Sequence, residues 1–314
     1  MKVYHHLNEF KKTGNAAVTI GTFDGVHIGH RKIISRLLET AQQNGGESVI
    51  LTFFPHPRMI LTPEDANLKL ISTMDEKAAL LEKLGVDHLI ITPFTRDFSN
   101  LSAEEYIKQI LVDQIGTQQI VIGYDHRFGK NRAGGLEDLQ RNAPIYGFEI
   151  EEIPEQDIHD VAVSSTKIRQ ALLNGDIQTA NDFLGYPFHV TGKVIKGDQI
   201  GRKLGYPTAN LLIPETYKIL PSDGVYAFKI EIDRFFYNGM GYIGHRPTIN
   251  GMSRNIEANI FDFNKDLYGK TIRLHFHGFI RGDEKFDSLE EMRLQIEKDR
   301  EAVLEVLDDH NNSR

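Results

Sequence analysis

Cysteine is absent from this 314-residue chain. That gap excludes disulfides, cysteine-ligated zinc, iron–sulfur clusters and any thiol nucleophile. It also leans the expectation towards a reducing compartment. Tryptophan is absent too, without functional consequence. No apolar run approaches the roughly 20 residues needed to span a bilayer. The opening MKVYHHLNEFKKTGN lacks the apolar stretch of a signal peptide. An excess of basic charge is missing as well: 36 Lys plus Arg stand against 44 Asp plus Glu, a net charge of -8. Sequence-independent binding to nucleic acid works through Lys and Arg neutralising phosphates, so it is not expected as the main activity. A local basic site is still enough for an anionic small molecule. The expectation is a cytoplasmic protein with neither a membrane nor a nucleic acid as partner.

What is present is ordinary for a globular protein: 40% apolar and 25% charged residues. At about 100–200 residues per domain, the length predicts two domains. Residues 16–23, 48–54, 86–91 and 119–123 read as strands, with helical spacing over 29–44, 75–84 and 102–115. Such alternation implies βαβ units and a parallel sheet. Residues 164–184 read as two short helices, with Ser164 or Ser165 as N-cap. Beyond about residue 187 the texture changes. Residues 190–195, 225–232, 235–243, 256–263 and 271–280 are strand-like and separated by Gly, Pro, Asn and Asp with no helix between them. That pattern predicts an antiparallel barrel or sandwich. A final helix over 288–307 opens on Ser288-x-x-Glu291, a capping-box pattern. The boundary is expected near 184–188, giving domains 1–184 and 185–314.

The segment Gly21-Thr-Phe-Asp-Gly-Val-His-Ile-Gly-His30 joins the first strand to the first long helix. A helix N-terminus presents unpaired N–H groups and partial positive charge, which suits an anion. Gly25 and Gly29 let backbone approach a ligand closely, and His27 and His30 bring two imidazoles to the same end. Ligands of open α/β sheets bind beyond the carboxyl ends of the strands, where this segment lies. Three readings stand on these residues: imidazoles donating to phosphate oxygens, a metal site completed by Asp24, or histidines that merely cap or face solvent.

Later in the same half, Ser164-Ser-Thr-Lys-Ile-Arg169 offers hydroxyls, a helix start, a Lys and an Arg, all suited to a triphosphate. Together the two segments resemble the HxGH nucleotidyltransferases, in which ATP is attacked at its α-phosphate and pyrophosphate leaves. Phe54-Pro-His-Pro57 and Gly123-Tyr-Asp-His-Arg-Phe-Gly-Lys130 resemble the FAD synthetase branch of that superfamily. The resemblance implies nucleotide contacts from Gly21, Phe23, Asp24, Gly25, Gly29, Asp125, Ser164, Ser165, Thr166 and Arg169, with His27 and His30 catalytic. It implies flavin contacts from Phe54, His56, Pro57 and Phe128. His126 departs from the family, which has Phe there.

No GxxxxGK[ST] occurs, which excludes a Walker-type kinase. Gly239-x-Gly241-x-x-Gly244 matches the Rossmann fingerprint formally, but His245-Arg-Pro247 rather than a helix follows it, so it is rejected. Gly201-Arg-Lys-Leu-Gly-Tyr-Pro-Thr-Ala-Asn210 is more informative. Pro207 fixes the backbone before Thr208 and Asn210, two neutral oxygen donors able to ligate Mg²⁺ beside phosphates. Gly201 and Gly205 would let a loop fold over a nucleotide. The alternative is a polar turn with no ligand. With Gly224-Val-Tyr-Ala227, Gly244-His-Arg-Pro-Thr248 and the stretch from Glu257 to Gly269, the order and spacing resemble the riboflavin kinase family. That resemblance implies a six-stranded barrel, Mg-ATP held at Thr208 and Asn210 with Gly201, Gly205 and Pro207, and Glu257 as base for the ribityl hydroxyl. Otherwise Glu257 is an exposed strand residue paired with a Lys or Arg. Arg281 and Asp299 match positions that close over the flavin. Tyr242 stands where that family usually has Asn.

The domain order resembles bifunctional riboflavin kinases/FAD synthetases. The implied substrates are ATP, riboflavin and FMN, the products FMN and FAD, and the metal Mg²⁺, in a monomer or weak homo-oligomer. The competing expectations are a single-activity nucleotidyltransferase with a regulatory barrel, and a flavin-binding regulator with neither activity.

Overall fold

The computed structural model describes residues 1–154, 163–197, 201, 205–248 and 251–312. Two compact units divide the chain, Met1–Ser165 and Thr166–Arg314. The helices Ser165–Leu173 and Ile177–Leu184, expected as a pair, therefore fall almost wholly with the second unit.

In the first unit, strands β1 (Lys2–Tyr4), β2 (Ala16–Ile20), β3 (Glu47–Phe53), β4 (His88–Thr92), β5 (Thr117–Gly123) and β6 (Glu149–Ile153) form one sheet in the order β1-β4-β3-β2-β5-β6. Every pairing is parallel. β2 is buried at all five positions, as a central strand covered on both faces requires. Helices α1 (Ile28–Gln43), α2 (Pro57–Leu61), α3 (Met74–Leu84), α4 (Arg96–Ser99), α5 (Ala103–Glu105) and α6 (Leu136–Tyr146) connect these strands, α5 running on into a π-helix over Tyr106–Ile115. α1 buries Ile34, Leu37 and Ala41 on one face, the 3–4 residue spacing that made it legible. Chain order reverses at β2: β3 lies on one side of it and β5 on the other. The crevice at such a reversal is where ligands of open α/β sheets bind, and the turns after β2 and β5 open there.

The second unit carries α7 (Ser165–Leu173), α8 (Ile177–Leu184), a closed barrel and α9 (Leu289–Asn312). The barrel strands are β7 (His189–Ile195), β8 (Thr208–Leu212), β9 (Gly224–Ile232), β10 (Phe235–Thr248), β11 (Gly251–Ile260) and β12 (Thr271–Arg281), ordered β10-β11-β8-β7-β12-β9 and antiparallel throughout. Closure removes the exposed edges of an open sheet. The Gly239–Gly244 glycines lie along β10, which confirms that they form no dinucleotide turn. Ser288 Oγ accepts the Glu291 N–H at 3.2 Å, while the Glu291 carboxylate accepts from Asp287 rather than Ser288. Half of the expected capping box is therefore present, shifted by one residue.

Candidate functional site

Two clusters of the expected residues form, one in each unit. In the first, β2 ends at Ile20 and residues 21–30 turn sharply into α1. Phe23, Gly25 and Val26 all have positive φ, at 44°, 81° and 41°. The turn is tight enough that a Cβ on Gly25 would lie 2.9 Å from the Ile71 side chain, so glycine is required there. Asp24 is buried at 1% exposure and accepts from the Ile71 N–H at 2.9 Å and the Ser72 N–H at 3.2 Å. Its carboxylate thus ties the turn to a neighbouring segment. Ser165 Oγ donates to the Asp24 carbonyl at 3.0 Å, bringing the serine run against the same turn.

His27 is the N-cap of α1, and its Nδ1 accepts the His30 N–H at 3.3 Å. The two rings stack at 3.6 Å between centroids, and Phe23 meets His30 edge-on at 5.2 Å. Burial holds His30 well below the ordinary histidine pKa, and the neighbouring His27 and Lys77 push it the same way. His30 Nδ1 is buried and has no hydrogen-bond partner among the described residues. A neutral imidazole with an unfilled ring nitrogen at a helix N-terminus fits phosphate oxygens. Asp24, already bonded to two amides, does not complete a metal set with these histidines. Among the described residues there is no group of three or more acidic or histidine side chains that could hold a metal ion.

The two aromatic segments flank this turn. Phe54 follows β3, and His56 caps α2 by accepting the Arg58 N–H at 3.2 Å, with Pro57 in the first helical position. Phe128 follows β5 and is buried, paired to Gly134 across a β-bridge, while Asp125 is exposed. His126 stacks on Phe128 at 5.8 Å. Burial pushes His126 down to about 4, outweighing the pull of Asp125. The ring is therefore uncharged at neutral pH, an aromatic plane like the Phe it replaces. Thr166, Lys167 and Arg169 lie on α7 in the second unit, Arg169 buried.

In the barrel, β8 pairs with β11 so that Glu257 stands opposite Asn210 and Asn259 opposite Thr208. The two-residue period of a strand puts all four side chains on one face. Thr208 Oγ1 donates to Glu257 Oε2 at 3.1 Å, and Asn259 Nδ2 donates to the Pro207 carbonyl at 2.7 Å. A hydroxyl, an amide and one carboxylate form the oxygen-donor set that suits a hard cation shared with phosphates. Gly201 accepts the Tyr206 N–H at 2.8 Å, closing the loop before Pro207, and Gly205 has φ +85°. A Cβ on Gly197 would lie 2.3 Å from Asn210 Nδ2, so the chain passes directly over that amide. Arg202, Lys203 and Leu204 of the motif lie outside the described residues.

Across β10–β11 the partner of Glu257 is Tyr242, whose hydroxyl donates to Asp283 at 2.9 Å. Burial and the Asp283 carboxylate push that phenol up to about 12. Arg281 and Asp299 form a bidentate pair, with Nε to Oδ1 and Nη2 to Oδ2 both at 2.9 Å.

Two residues of these clusters do not stand out in the sequence. Asn259 shows itself only through its i+2 spacing from Glu257. Lys77 sits on the apolar stripe of α3 and is 2% exposed, a charge at a core position.

Comparison with known proteins agrees with this division. The family model described as FAD synthetase matches residues 9–167, and the one described as riboflavin kinase matches residues 184–307. A bifunctional riboflavin kinase/FMN adenylyltransferase of Bacillus subtilis is 36% identical over 96% of this chain and 95% of its own. The Haemophilus influenzae protein of the same name is 37% identical over 91% of this chain and 92% of its own. A solved structure described as a macrolide-efflux protein from Streptococcus pneumoniae shares the fold with a TM-score of 0.85 and 32% identity, over 96% of this chain and 98% of that one. No helix among the described residues is long and apolar enough to cross a membrane. Matched in both halves and along nearly its whole length, the chain belongs to the family of bifunctional riboflavin kinases/FMN adenylyltransferases.

Proposed function

We propose that residues 1–184 adenylylate FMN and residues 185–314 phosphorylate riboflavin, so that one chain makes FAD in two steps. The observation that carries this reading is the presence of two separate clusters, His27/His30 after β2 and Thr208/Glu257 in the barrel, each inside the residues matched by one of the two family models, 9–167 and 184–307.

In the kinase step the ribityl 5′-hydroxyl attacks the γ-phosphorus of ATP and ADP leaves. Glu257 takes the hydroxyl proton, a role suited to a carboxylate when a metal stabilises the transferring phosphoryl group. Thr208 orients that carboxylate. Thr208 and Asn210 would hold Mg²⁺ together with phosphate oxygens, where it would neutralise developing charge. Gly201, Gly205 and Pro207 shape the loop over the nucleotide, and Arg281 and Asp299 flank the flavin as a bonded pair.

In the adenylylation step an FMN phosphate oxygen attacks the α-phosphorus of ATP and pyrophosphate leaves. Positioning and charge stabilisation carry such a reaction. His27 and His30, both at the start of α1, contact the phosphates. Gly21, Phe23, Gly25 and Gly29 shape the turn, and Asp24 holds it. Asp125, Ser164, Ser165, Thr166 and Arg169 complete the nucleotide contacts, while Phe54, His56, Pro57 and Phe128 hold the flavin. The protein acts as a monomer or weak homo-oligomer in the cytoplasm.

The test is purified protein with riboflavin, ATP and Mg²⁺, products separated over time. FMN should accumulate first and FAD follow. FMN without FAD would reduce the first unit to a non-catalytic role; if riboflavin is not converted, FAD formed from added FMN would leave a single-activity nucleotidyltransferase, and none would leave a flavin-binding regulator.

A further inference from the structure

Lys77 has no assigned part in either reaction, yet its placement is costly. Its side chain is buried on α3 beside Met74 and Leu81. Nζ donates to the Thr22 carbonyl at 2.7 Å and to Thr52 Oγ1 at 3.4 Å, with Met74 Sδ at 3.9 Å. None of these three contacts is to a carboxylate. Burial pulls the ammonium down to about 8, against the opposing attraction of Asp24. A Met or Leu would fill the same stripe position without desolvating a charge.

The location explains the expense. Thr22 lies just beyond β2 and Thr52 lies in β3. The ammonium therefore clips two adjacent strand ends together where the 21–30 turn leaves the sheet. Thr52 Oγ1 also donates to the Thr22 carbonyl at 3.2 Å, so the three groups form a closed set under the turn. The same charge acts on His30, whose proton affinity it helps to lower.

We propose that Lys77 is a positioning residue for adenylyl transfer: by holding the Thr22 carbonyl it fixes the turn that carries His27 and His30, and it keeps a buried positive charge behind that turn for the polyphosphate of ATP. This rests on the reading of residues 21–30 as the ATP phosphate site. The titratable groups around the ammonium are Asp24 from the turn, His30 from α1 and, on its own helix, Glu76, which bonds the Thr73 N–H.

The experiment uses the full chain, with FAD formation from FMN and ATP measured between pH 6.5 and 9.5 and riboflavin phosphorylation in the same samples as the internal control. For the wild type, kcat/KM of adenylylation should fall as pH rises through about 8, because deprotonation removes the positive charge behind the turn and weakens its bond to the Thr22 carbonyl; the kinase reaction should not share that limb. Lys77→Met should lower adenylylation kcat by about 10²-fold, the scale for misplaced reacting groups, with a smaller change in KM for ATP. The limb should vanish, and the melting temperature should not fall. Thr52→Val, which removes one acceptor of the charged form, should move the limb to lower pH in a folded enzyme.

A wild-type profile flat through pH 8 overturns the proposal. So does wild-type kcat in Lys77→Met, or a limb that Thr52→Val leaves in place. His30→Ala separates the two readings. If it spares FAD formation, the phosphate-site assignment itself fails. If it abolishes FAD formation while the Lys77 and Thr52 variants behave as wild type, only the role given to Lys77 fails.

Discussion

Thr208 Oγ1 donates a 3.1 Å hydrogen bond to Glu257 Oε2, joining two residues 49 positions apart through the pairing of β8 with β11. The bond fixes one carboxylate oxygen of Glu257 against the Thr208 hydroxyl. It also places the hydroxyl's own lone pairs beside the carboxylate, an oxygen-donor pair of the kind that suits a hard cation.

Glu257→Gln removes the base while keeping shape and most hydrogen bonding. Kinase turnover should fall by roughly 10²–10⁴-fold, the usual contribution of a general base. Flavin binding followed by fluorescence should stay near wild type, and FAD formation from added FMN should survive. Undiminished kinase turnover would leave Glu257 a strand residue with no part in proton transfer.

His30→Ala removes a neutral imidazole from the start of α1. FAD formation from FMN should lose a few kcal/mol of transition-state stabilisation, with riboflavin phosphorylation nearly unchanged. Because burial holds the wild-type ring below 6.5, His30 should contribute no acid limb to adenylylation at pH 6.5. A loss shared equally by both reactions would point to a folding defect.

Lys77 also predicts a pH dependence of stability. Its pKa moves from 10.5 to about 8 on folding, a difference of about 3 kcal/mol. Between these values the unfolded chain binds more protons than the folded one, so stability should rise as pH goes from 8 to 10.5. Lys77→Met removes the buried charge but also two hydrogen bonds, each worth about 1 kcal/mol. The variant should be more stable at pH 7 by on the order of 1 kcal/mol and should lack the rise. Urea unfolding at pH 7 and pH 10 reads both; a clear loss of stability at pH 7 would mean that the hydrogen bonds outweigh the desolvated charge.

Fragments test the boundary. α8 packs on β12, burying Ile177, Ala180 and Leu184, and Asn181 bonds the Phe276 carbonyl and the Phe188 N–H. Burial of each large side chain is worth about 1.5–3 kcal/mol. Residues 185–314 should convert riboflavin to FMN and make no FAD, and residues 166–314 should do the same while melting at a higher temperature. A soluble 185–314 fragment without kinase activity would contradict the domain assignment.

Much of this protein was decided locally. The alternation of strands and helices over residues 16–123 shows in the sequence because apolar period and turn residues are short-range signals. The HxGH turn and the Thr208 loop show for the same reason, since each motif is contiguous. Elements without such a signal did not show. β1 has three residues, β6 carries Glu149, Glu151 and Glu152 at a sheet edge, and β8 begins on Thr208 and Asn210, which read as a polar loop until β11 lies beside it.

What only tertiary structure decided is where charge becomes expensive. In the sequence Lys77 is an ordinary helical lysine, Asp24 a candidate ligand and His126 a departure from an aromatic position. Folding buries Asp24 and Lys77 and half-buries His126, giving Asp24 two amide donors, Lys77 a carbonyl and a hydroxyl, and His126 a ring to stack on. Desolvation sets the charge of Lys77 and His126, the partners that each group meets set its place, and neither is a property of a residue's neighbours in sequence.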